Sequence, residues 1–99
     1  KKLFTEIGDD TLSLFATVAT AFKTSDLDMA LEISAKARIL AKQCEDIIAE
    51  VASSECAGAD AVVLTLGSYY IKRIVLHLSN IAGSIYLPLP ELDYVDDNI

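Results

Sequence analysis

A metal-carboxylate site is the first chemistry to look for in a chain with fifteen acidic residues, one histidine and two cysteines. Di-metal helical bundles hold their ions with inward glutamates and Glu-x-x-His pairs. Here Ile74 stands three residues before His77, and no acidic residue lies between Asp60 and Glu91. That reading fails. Cys44 and Cys56 lack metal-ligand spacing and read as reduced thiols of a cytoplasmic protein. His77 falls on an apolar stripe with no carboxylate near it in sequence. It reads as a packing residue, with Asn80 one turn on as its hydrogen-bond partner, and not as a base or a ligand. Tyr69 and Tyr70 read as core and interface rings, and Lys72 with Arg73 as a solvated cationic pair. No catalytic constellation and no cofactor follow from these residues, so the expectation is a protein that is not an enzyme.

The elements that carry these residues are helical. Apolar residues make up 53% of the sequence, with few aromatics and only four Gly and two Pro. Over residues 3–23, Phe4, Ile7, Thr11, Leu14, Val18 and Ala21 recur at spacings of three and four, which predicts a helix with one buried face. Leu12, Phe15, Ala19 and Phe22 form a second stripe that would broaden the buried surface. Gly8, Asp9 and Asp10 are expected to break or cap this helix. A turn at residues 24–26 follows, with Ser25 or Asp26 as the next N-cap. Residues 27–52 carry the most regular stripe, Ala30, Ile33, Ala37, Leu40, Cys44, Ile47 and Val51, whose period suits bundle packing.

A third helix is expected over residues 59–86, capped by Asp60 and ended by Pro88 and Pro90. It carries two apolar stripes. Val63, Leu66, Tyr70, Ile74, His77, Ile81 and Ile85 are taken as its core face. The spare stripe, Leu64, Ile71, Val75, Leu78 and Ala82, is then the candidate interface, and a homodimer is expected to form through it. The fold class is all-α, an up-down-up three-helix bundle over residues 1–86 with an acidic, Pro-containing tail at 87–99.

With 99 residues the chain is one domain, and its net charge of −7 argues against nucleic-acid binding. Glu91, Asp93, Asp96 and Asp97 crowd the tail, which reads as a solvated terminus. Lys72 and Arg73 interrupt the most hydrophobic stretch, so no membrane span is expected. The opening Lys1 in place of Met fits a fragment or a processed form, and the first residues do not have the pattern of a signal peptide.

Residues Tyr69 to Ala82 resemble the helix of PhoU phosphate-signalling regulators that reads Glu-Arg-Ile-x-Asp-His-x-x-Asn-Ile-Ala. Arg73, Ile74, His77, Asn80, Ile81 and Ala82 match in order and spacing. Lys72 stands where the family has Glu and Leu76 where it has Asp, the two acids by which family members bind metal clusters. An ammonium and an isobutyl group cannot share a metal, so metal binding is expected to be lost. Helix two adds Lys36, Arg38 and Lys42 over the stretch where the family supplies partner acids. The resemblance implies one three-helix repeat that acts without catalysis, in the cytoplasm, on a protein partner such as a phosphate transporter or a sensor kinase. The alternative is a structural dimerisation or linker bundle of a larger regulatory protein with an upstream DNA-binding or ligand-sensing domain.

Overall fold

A computed structural model describes residues 4–54 and 58–85. They form three helices, α1 (Phe4–Thr24), α2 (Leu27–Ser53) and α3 (Gly58–Gly83), each boundary within three residues of its expected place. Cys56, Tyr86 and the acidic tail at 87–99 lie outside the described residues. Gly8, Asp9 and Asp10 do not break α1, which runs through them. Asp60 lies in the first turn of α3 and is not its cap.

The α1–α2 corner is built from two backbone decisions. Ser25 adopts the left-handed conformation at φ 52°, and the Asp26 N–H then donates back to Ala21 O at 3.1 Å, closing the end of α1 in a Schellman arrangement. Asp26 serves at once as the N-cap of α2, its Oδ1 accepting from the Met29 N–H at 3.0 Å. A chain reversal this short makes α1 and α2 antiparallel neighbours. On the other side of α2, Lys72 meets Glu45 while Ser79 meets Ser34, so positions rise along α3 as they fall along α2. These two helices are antiparallel as well, and the topology is up-down-up.

The first stripe of α1 and the regular stripe of α2 fill the core as the periodicity requires. Ile7, Leu14, Val18 and Ala21 meet Ala30, Ile33, Ala37, Leu40, Cys44 and Ile47, all buried, with Phe4 and Val51 packed at the margin. Thr11 joins them because its hydroxyl donates to Ile7 O at 2.8 Å and so carries no unmet polar group inward. The second stripe of α1 does not broaden the core: Leu12, Phe15 and Phe22 point outward.

Helix α3 is rotated by about 100°, a little over a quarter turn, from the expected placement, because the two stripes are offset by one residue. Val75 is 0% exposed, Leu78 and Ala82 are buried with it, and Leu64 and Ile71 pack against the core. The stripe assigned as the external interface is therefore the core face. Val63, Leu66, Tyr70, Ile74 and Ile81 are exposed, as is His77, and of the expected core stripe only Ile85 packs inward. The reason lies in size and polarity. Ser68, Ser79, Ala82 and Gly83 share the inward side of α3 and face a helix carrying Ala30, Ala37 and Ala41, so the two backbones approach closely. Tyr70 and His77 on the other stripe keep their polar tips in water when turned outward.

Candidate functional site

Of the residues that carry the family resemblance, Arg73, Ile74, His77, Asn80 and Ile81 share the outer side of α3, and Ala82 alone turns inward. Ala82 is buried, Arg73 and Asn80 are half-buried, and Ile74, His77 and Ile81 are exposed. Arg73 folds back along its own helix, its guanidinium carbon 5.9 Å from the centre of the Tyr69 ring and Nη1 3.5 Å from the Tyr69 hydroxyl. Tyr69 in turn stands edge-on to Tyr70 with ring centres 5.6 Å apart. The exposed position of His77 removes the role of packing residue expected for it.

The two departures from the family pattern sit against α2. Lys72 reaches Glu45, Nζ to Oε2 at 2.8 Å, and Leu76 packs on the core. The residue of α2 that faces the motif is thus Glu45, and not the Lys36, Arg38 and Lys42 stretch expected opposite it. Pairing the two helices antiparallel through their core stripes would have found it. Beside this pair lies Cys44, fully buried, whose thiol pKa is raised to about 11 chiefly by desolvation, with Lys72 opposing and Glu45 adding to the shift. A thiol held so far from ionisation is no nucleophile. Among the described residues no three metal-ligating side chains come together.

Among the described residues, the buried Ser68 Oγ and Gln43 Oε1 have no hydrogen-bond partner. Between α1 and α2 opens a groove of about 280 Å³ with Leu14, Ile39 and Leu40 as its apolar floor and Asp10, Ser13, Thr17 and Lys36 around it. It contains no nucleophile paired with a base, so it offers a contact surface and not a reaction centre.

What the geometry exposes in quantity is apolar surface. The outer face of α1 presents Leu12, Phe15 and Phe22, each at least half exposed. The outer face of α3 presents Val62, Val63, Leu66, Tyr70, Ile74 and Ile81. By length and composition α3 could also cross a membrane, its most apolar 18-residue window having a mean hydropathy of 1.2 with 17% of it buried. A core helix of this length and composition is normally mostly buried, so the outward stripe of α3 stands out. No family model, curated protein or solved structure matches the chain.

Proposed function

We propose that this chain is a non-catalytic, PhoU-like regulatory domain that works in the cytoplasm by protein–protein contact, with the outer face of α1 as its docking surface. The observation that carries this reading is the outward placement of Phe15 and Phe22 on a helix whose other face already fills its share of the core. Aromatic side chains are enriched at the centres of protein interfaces, where each supplies a large rigid area at little entropic cost. The resemblance of residues 69–82 supplies the class of partner, a phosphate transporter or a sensor kinase. The Lys72–Glu45 ion pair supports a domain that has replaced metal-binding acids with an internal charge pair.

The test is complementation. In cells lacking the gene, the wild-type chain restores phosphate-dependent expression of a transporter reporter. The Phe15→Lys, Phe22→Lys double variant accumulates normally and does not restore it. Full complementation by that variant would remove α1 from the reading, and a deletion with no effect on phosphate response would remove the regulatory role itself.

The second reading, a dimerisation or linker bundle in a larger protein, is favoured by the outward stripe of α3. It predicts that the α1 variant behaves as wild type.

A further inference from the structure

The outer face of α3 is apolar along most of its length, and its large residues are arranged symmetrically about position 72. Val63 and Ile81 lie nine residues to either side, Tyr70 and Ile74 two to either side, and Leu66 is mirrored within one residue by His77. An antiparallel copy of the same helix therefore sets Val63 opposite Ile81 and Tyr70 opposite Ile74, with Leu66 next to His77. We infer that the outward stripe of α3 is the contact for a second copy of this chain, with the two α3 helices crossing antiparallel on a two-fold axis near residue 72.

Area and charge both favour this occupant. Val62, Val63, Leu66, Tyr70, Ile74 and Ile81 are each between 37% and 61% exposed. Burying what they expose removes on the order of 500 Å² per copy, or about 1,000 Å² in all, the lower limit for a specific interface. The chain carries a net charge of −7, so two copies repel at most orientations. Contact through α3 is the exception. Its described charges are Asp60, Lys72 and Arg73, with Lys72 turned to Glu45 and Arg73 folded over Tyr69, so the stripe itself is uncharged. A lipid surface is the other apolar occupant to consider. Against it, Lys72 and Arg73 lie in the middle of α3, and Val75, Leu78 and Ala82 hold the helix to its own bundle.

The inference is independent of the partner on α1, and its experiment is sedimentation of the 99-residue chain across the micromolar range. The expected result is a dimer whose dissociation constant rises about tenfold or more in Tyr70→Lys and in Ile81→Lys, with far-ultraviolet circular dichroism unchanged and with Phe15→Lys without effect. A chain carrying Val63→Cys and Ile81→Cys, oxidised in dilute solution, is expected to form a covalent dimer through 63–81 bridges mapped by mass spectrometry. This second measurement decides the matter if a lysine variant fails to fold. A monomer throughout the range, a dimer broken by Phe15→Lys alone, absence of the 63–81 bridge, or a monomer that floats with phosphatidylcholine vesicles would each overturn the inference. Because like-charged copies must meet, association is expected to strengthen with added salt.

Discussion

Lys72 on α3 donates to Glu45 on α2 across 2.8 Å, with 15% of the lysine side chain and 48% of the glutamate exposed. The pair joins the two most extensively packed helices and lies beside the buried Cys44. It also occupies the position where the resembling PhoU helix has an acid. A glutamate at 72 would face Glu45 directly, and the two carboxylates would then need a cation between them. With lysine there, the chain supplies that positive charge itself.

Reversing the charge at this position should therefore be costly, and the cost should be recoverable. Lys72→Glu is expected to lose about 1–2 kcal/mol of stability, since the carboxylate replaces an attraction by a repulsion in a partly desolvated setting. Adding Glu45→Lys should restore about 1 kcal/mol of it. Urea unfolding of the two single variants and the double variant measures the coupling. A coupling energy indistinguishable from zero would reduce the contact to an ordinary surface pair.

Cys44 makes the fold sensitive to alkali. Its thiol is raised from 9.0 to about 11 in the folded protein, first by desolvation. The folded state therefore holds its proton more tightly than the unfolded state does. This contribution is complete below pH 9 and declines as pH rises through 11, because between those values the unfolded chain releases the proton first. Stability should fall by about 2 kcal/mol over that window, from the size of the shift. Cys44→Val should show a smaller fall when followed by thermal unfolding at pH 8, 9.5 and 11. Identical profiles would show that other groups govern the alkaline limit.

Ser25 stores strain at the α1–α2 corner. At φ 52° its side chain crowds the following carbonyl, a cost of about 1 kcal/mol that glycine does not incur. Glycine gives back part of that gain through its freer unfolded chain. Ser25→Gly is expected to stabilise by about 0.5 kcal/mol and raise the melting midpoint by a few degrees. Ser25→Val, β-branched in the same conformation, should destabilise by more than 1 kcal/mol. Differential scanning calorimetry of both variants checks the sign of each change.

The legible part of this fold was the part in which a helix has one apolar stripe. On α2, Ala30 through Val51 left a single choice of inward face, and the structure takes it. On α1 the stripe containing Ile7 and Leu14 competed with one containing Leu12 and Phe15, and the second turned outward. On α3 the two stripes were nearly equal in hydrophobicity, so periodicity alone could not rank them. Counting apolar residues favours the stripe with Tyr70 and Ile74, whereas close packing favours the stripe flanked by Ser68, Ser79, Ala82 and Gly83. Steric fit against the alanines of α2 decided the rotation, and that information lies in the pairing of two helices. The same is true of Glu45, whose role appears only once α2 is laid antiparallel to α3.

The rotation of α3 is open to a decisive test in two adjacent residues. Val75 is fully buried, while Ile74 is 37% exposed, and both are branched aliphatic side chains of the same helix. A lysine at 75 must bury an ammonium with no carboxylate in reach on its own helix, or force α3 out of the bundle. Either route costs more than about 4 kcal/mol, a large fraction of the stability of a domain this size. A lysine at 74 can extend its amine into water and loses little more than packing at the rim, about 1 kcal/mol or less. The expected outcome is that Val75→Lys is unfolded or molten by near-ultraviolet circular dichroism and amide dispersion in NMR, whereas Ile74→Lys retains a cooperative urea transition. Under the pairing inferred for the outer stripe of α3, Ile74→Lys should also weaken self-association, as Tyr70→Lys and Ile81→Lys do. If Val75→Lys folds as well as wild type while Ile74→Lys collapses, α3 turns the adjacent stripe, about 100° away, toward the core, and the stripe containing Leu64, Ile71, Val75, Leu78 and Ala82 is the external one.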